Sequence, residues 1–144
     1  MKVYIDTNIV VARTMAEHTH HANASALFKK IQQQRWIPVI SSHGLAEIYT
    51  ALTATPFQNR PAPVEVWQML QENVLELFEI QTLSRKDYMQ VIQDCAARGL
   101  SGARIYDALH IHSARKAGCS RIYTFNAKHF RALAPDLQDQ ILIP

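Results

Sequence analysis

Short apolar runs of strand length alternate along this chain with longer stretches of helical period, and that alternation leaves few folds open. The strand-like runs are Val3 to Ile5, Trp36 to Ile40, Leu77 to Leu83, Arg121 to Phe125 and Ile141 to Ile143. Between them, Ala24, Leu27, Phe28 and Ile31 recur at the i, i+3, i+4, i+7 spacing of an amphipathic helix. Leu45, Ile48, Tyr49 and Leu52 give a second stripe, and Val66, Met69, Leu70, Val74 and Leu77 a third. Tyr88, Val91, Ile92 and Cys95 follow at the same spacing, "ARIYDALHIHSARKAG" reads as a helix ending at Gly118, and a short helix is expected around Ala127 to Leu133. Repeated strand–helix alternation predicts an α/β fold with a parallel sheet covered on both faces. All strand C-termini then lie on one edge.

Local chemistry sets the boundaries. Ser41 or Ser42 is the expected cap of the second helix, and Ser84 with Asp87 resembles a capping box. Gly99 is placed to stop the helix before it. Pro38 lacks an N–H, so its strand is expected at a sheet edge or to begin there. "TPFQNRPAPVE" reads as a proline-rich loop. No repeat or linker divides the chain, and 144 residues at 48% hydrophobic content suit one domain spanning 1–144. The apolar start is broken at Asp6, which argues against a signal peptide, and no stretch is long enough to span a bilayer. With only Cys95 and Cys119, reduced thiols and a cytoplasmic location are expected.

Four polar residues interrupt this apolar pattern. Asp6 ends the first strand, Glu47 lies in an otherwise apolar helical stretch, Asp107 stands early in its helix and Asn126 follows "RIYTF". Each alone has a structural reading as a turn residue, a solvated helix residue or a cap. Their company changes the weighing. "VYIDTNIVV", "SSHGLAEIYTALT", "IYDALHIHSARKAG" and "IYTFNAKHF" occur in that order, and together they resemble the PIN-domain family, within it the VapC-type toxins of bacterial toxin–antitoxin pairs.

The resemblance implies a small three-layer α/β/α sandwich and a metal-dependent endoribonuclease acting as a toxin. Its acidic residues map onto Asp6, Glu47 and Asp107. A fourth acidic position common in the family is Asn126 here, with Thr124 before it. Asn brings a carbonyl oxygen but no charge, so the number of metals stays open. Mg²⁺, or Mn²⁺ in its place, suits such oxygen donors, and clustered carboxylates need a cation to offset their repulsion. Asp6 and Asp107 are expected as principal ligands. Glu47 is expected to bind a second metal or hold the attacking water, and Asn126 with Thr124 to orient the water shell. Thr7 and Asn8 either shape the turn or steady the Asp6 carboxylate.

Other features weigh less. His18, His20 and His21 suggest zinc, but both cysteines lie far off in sequence, so a solvated cluster is the better reading. His43 and His110 are assigned packing or hydrogen-bonding roles. The net charge of +3 permits RNA binding without requiring it, and Arg104 and Lys128 are the candidates to hold phosphates. The expected partners are RNA, a small antitoxin and a second copy of the chain, with Phe57, Trp67 and Met69 as interface candidates. One rival is a haloacid-dehalogenase-like phosphatase, which needs a second Asp where Asn8 stands. The other is a catalytically weak nucleic-acid-binding module, favoured by Asn126.

Overall fold

A computed structural model describes all 144 residues. Its five strands are β1 (Lys2–Ile5), β2 (Ile37–Ser41), β3 (Glu79–Gln81), β4 (Arg121–Tyr123) and β5 (Ile141–Leu142). They form one parallel sheet in the order β3-β2-β1-β4-β5. Seven α-helices cover it: α1 (Thr7–Thr14), α2 (His21–Gln33), α3 (Ser42–Ala54), α4 (Pro63–Leu70), α5 (Arg85–Ala97), α6 (Arg104–Lys116) and α7 (Ala127–Leu133). The predicted α/β class and parallel sheet are therefore observed.

Period-2 alternation sorts the strand side chains into two cores. Val3 and Ile5 of β1, Ile40 of β2 and Tyr123 of β4 pack with α1 to α4. Tyr4, Val39 and Ile122 point the other way, onto α6 and α7. A smaller cluster of Leu83, Val91, Cys95 and Leu109 joins α5 to α6.

Several local expectations hold, and others need correction. Ser41 caps α3 by accepting from the Gly44 N–H at 3.0 Å. Ser84 and Asp87 form the reciprocal capping box, and Gly99 follows α5 at φ 64°. Pro38 is not on an edge strand. It pairs with Val3 before β3 begins at the level of Val39, so the missing N–H falls at the strand start. The strand expected over Leu77 to Leu83 shrinks to β3, because a π-turn at Gln71–Leu75 extends α4 and leaves Leu77 exposed. Likewise β4 stops at Tyr123 rather than Phe125.

One element has no counterpart in the sequence reading. Thr7–Thr14 is helical although "TNIVV" is β-branched. Burial of Ile9, Val10, Val11 and Ala12 overrides that weak local preference. No helix is long and apolar enough to cross a membrane. Both cysteines are free, and burial pushes the Cys119 thiol pKa up to about 11, so it is a poor nucleophile.

Candidate functional site

The strand order creates the site. The chain starts in the middle of the sheet, builds β2 and β3 to one side, then crosses to place β4 and β5 on the other. The order reverses between β1 and β4, and parallel α/β sheets leave a crevice at the carboxyl end of such a switch point. Asp6 and Thr124 follow these two strands. The Asp6 N–H bonds the Tyr123 carbonyl at 3.0 Å, which sets the two side by side.

Asp6 occupies the N-cap position of α1, yet its side chain makes no capping bond. Helix capping therefore does not account for this acid. Its carboxylate is instead buried, at 4% exposure. Thr124 donates to Asp6 Oδ2 at 2.6 Å and Thr7 to Asp6 Oδ1 at 3.3 Å. Asn8 does not touch the carboxylate. Its amide donates to the Thr124 hydroxyl at 3.5 Å, and its carbonyl accepts from the Phe125 N–H at 3.4 Å. The Asn126 N–H also donates to the Thr124 hydroxyl, at 2.9 Å. Thr124 is thus the tie between β4 and Asp6. The Asn126 side chain does not cap α7, and the residue is exposed.

Glu47 and Asp107 come from opposite faces of the sheet, on α3 and α6. The close approach of α3 depends on Gly44: a Cβ there would lie 2.9 Å from the Ile40 side chain and 3.1 Å from the Thr7 methyl. Burial and the Asp6 charge raise the Asp107 pKa above the usual carboxylate range. Burial also raises the Asp6 pKa, with Glu47 adding to it, against the lowering effect of His110 and Thr124. Glu47 goes the other way. Burial opposes its ionisation, but the His110 hydrogen bond and the charges of His110 and His43 lower its pKa overall.

The sequence reading gave His110 a packing or hydrogen-bonding role, and the structure makes it the centre of a buried chain. The Ser41 N–H donates to the Tyr4 hydroxyl at 3.2 Å. Burial pushes the Tyr4 phenol pKa up, so it keeps its proton. The hydroxyl lies 2.7 Å from His110 Nδ1, and His110 Nε2 lies 2.6 Å from Glu47 Oε2. The neutral tautomer with its proton on Nε2 satisfies every member: Tyr4 donates to Nδ1, and Nε2–H donates to Glu47. Burial opposes a charge on His110, but the Glu47 bond and the three carboxylates raise its pKa overall. The spacing of His110 three residues after Asp107 was the available signal, since i and i+3 share a helix face. His129 on α7 was missed; its charge acts on Asp107.

The donor chemistry suits a hard cation. No three His, Cys, Asp or Glu side chains form a closed metal cage. Mg²⁺ does not need one, because it takes one or two carboxylates and fills its shell with water and phosphate oxygens. Asp6 and Asp107 would supply those carboxylates, and the Asp6 charge holds back the ionisation of Asp107. The histidine cluster is engaged elsewhere: His21 Nδ1 lies 3.0 Å from the Ala12 carbonyl, and His20 stacks on Phe125.

The basic residues divide in the same way. Arg115 pairs with Asp136, Lys116 with Asp87, Arg121 lies over Trp36, and Arg131 donates to the Ile141 carbonyl. Arg104, the first residue of α6, and Lys128, the second of α7, are exposed.

The charges of Asp6 and Glu47 both act on Asp107, so the three acids lie together at the switch point of a parallel α/β sheet. The chain belongs to the PIN-domain family, whose model matches residues 3–134. Its fold is similar to that of VapC20 of Mycobacterium tuberculosis, a toxin that cleaves the sarcin–ricin loop, at TM-score 0.68 and 18% identity, covering 90% of this chain and 94% of that one. It is also similar to FitAcB of Neisseria gonorrhoeae, at TM-score 0.65 and 14% identity over 98% and 95% of the two chains. VapBC2 of Rickettsia felis, bound to a DNA fragment from its promoter, matches at TM-score 0.62 and 20% identity over 100% and 98%. No curated protein sequence matches this chain.

Proposed function

We propose that this protein is a metal-dependent endoribonuclease and the toxin of a toxin–antitoxin pair. The observation that carries the proposal is the Asp6 carboxylate, buried at the switch point, used in no cap, and raised in pKa beside Glu47. A buried acid without a paired base is costly, and such groups concentrate at functional sites. Asp6 and Asp107 would hold Mg²⁺ or Mn²⁺. When bound, that cation supplies Lewis acidity toward a phosphodiester and a more acidic water.

The chain's own residues have distinct tasks in this reading. Thr124 and Thr7 fix the Asp6 rotamer from either oxygen. Glu47, kept ionised, binds a second metal or holds the attacking water through the oxygen that His110 does not bond. Asn126, exposed and tied by its N–H to the Thr124 hydroxyl, orients water without adding charge. Arg104 and Lys128 hold flanking phosphates of RNA, which makes binding salt-sensitive. Exposed Val64 and Trp67 on α4 give an antitoxin or a second copy an apolar footing. Of the other interface candidates, Phe57 packs partly against the protein's own core and Met69 is half-buried.

The test is to sequence RNA ends after brief expression and to assay purified protein with and without Mg²⁺. Asp6→Asn and Asp107→Asn proteins should lose cleavage. Full activity in either variant refutes the assignment.

A further inference from the structure

Two stacked aromatic pairs each include a residue next to a candidate site residue in sequence. In one pair Tyr106, the residue before Asp107, lies flat against His43, with ring centroids 5.0 Å apart and planes at 12°. His43 is one helical turn before Glu47, with Nε2 3.6 Å from Glu47 Oε1. In the other pair Phe125, between Thr124 and Asn126, lies against His20 at 4.4 Å and 22°. His43 belongs to the helix after β2, Phe125 to the segment after β4, and β1 with Asp6 lies between those strands. Adjacent strands are about 4.8 Å apart, so the two stacks are separated by roughly 10 Å or more.

Each pair is fixed on its inner member and open on its outer one. Phe125 packs partly against the main core and is held through its N–H by Asn8. His43 is only partly exposed. Tyr106 is 45% exposed, and His20 is exposed. A solvent-exposed flat ring backed by a second ring is a preorganised platform for another π-face; beside His20 the His18 ring lies tilted at 43°, with centroids 5.9 Å apart. Nucleobases of single-stranded RNA provide such faces whatever their identity.

The geometry points to Tyr106 and His20 as two base-stacking platforms that grip the nucleotides on either side of the scissile phosphate. This rests on the endoribonuclease reading and names the residues that would meet the bases; a base stacked within a duplex presents no free face to them. The platforms supply affinity through bases, whereas Arg104 and Lys128 supply it through phosphates.

The experiment measures binding of a fluorescent single-stranded oligoribonucleotide to Asp6→Asn protein, in which the RNA stays intact, and of an abasic oligonucleotide of equal length. Tyr106→Leu and His20→Leu, added to that background, should each weaken binding to the normal oligonucleotide about 5- to 100-fold. They should leave abasic binding and the salt slope unchanged, because no phosphate contact is lost. Tyr106→Phe should restore affinity to within about threefold, because the ring is kept. Unchanged affinity in both Leu variants overturns the proposal, as does an equal loss on the abasic strand. If the unmutated protein fails to cleave RNA while the Leu variants lose base-dependent binding, the nuclease reading falls and the platforms stand. If it cleaves and the Leu variants bind normally, the reverse holds.

Discussion

Replacing His110 with Leu tests whether the buried chain from Ser41 to Glu47 is structurally required. His110 is 2% exposed and Tyr4 fully buried. Without the imidazole, the Tyr4 hydroxyl keeps the Ser41 N–H as donor but loses the acceptor of its own proton. An orphaned buried hydroxyl costs about 1–3 kcal/mol. Glu47 also loses a short bond, but its side chain is 29% exposed, so water replaces the partner and the added loss is about 1 kcal/mol or less. The expected destabilisation is therefore about 1–4 kcal/mol, or a fall in Tm of roughly 2–16 °C for a chain of this size. Urea unfolding should show a lower midpoint with an unchanged slope. A double-mutant cycle with Tyr4→Phe isolates the Tyr4–His110 bond, because the hydroxyl that His110→Leu orphans is absent from the double variant. The two substitutions should couple by about 1 kcal/mol or more. Strict additivity, or a His110→Leu protein as stable as the parent, refutes the reasoning.

Asp6→Asn should stabilise the metal-free protein at neutral pH, since it removes a buried acid of raised pKa, and it should abolish stabilisation by Mg²⁺ in a thermal melt. Gly44→Ala should destabilise by about 1–3 kcal/mol in urea unfolding, because the new methyl meets Ile40 and Thr7, and it should reduce RNA cleavage by shifting the turn that carries Glu47. Asp87→Asn should be less stable than the parent at pH 7, with a gap that closes as pH falls. His112, Lys116 and Ser84 depress the Asp87 pKa, so its contribution is fully present above the unfolded carboxylate pKa of about 3.9 and is lost on descent toward the folded value. Unfolding midpoints at pH 7 and pH 3 check the sign.

The amino-acid sequence determined the element types wherever a stripe or cap was local. The stripe of α2, the Ser84–Asp87 box and the glycine after α5 all depend on residues within about two turns of one another. It also marked Asp6, Glu47, Asp107 and Asn126 as polar breaks in apolar patterns. It could not reveal α1, whose β-branched residues become helical because the sheet and α2 bury them. Nor could it choose between the sheet edge and the strand start for Pro38, where the strand start holds, since strand order depends on pairing between residues far apart in the chain. The division of labour among the acids is likewise a tertiary fact. Asp6 meets Thr124 across 118 positions and Glu47 meets His110 across 63. Burial and partner charge, which raise one acid and lower the other, exist only once the chain has folded.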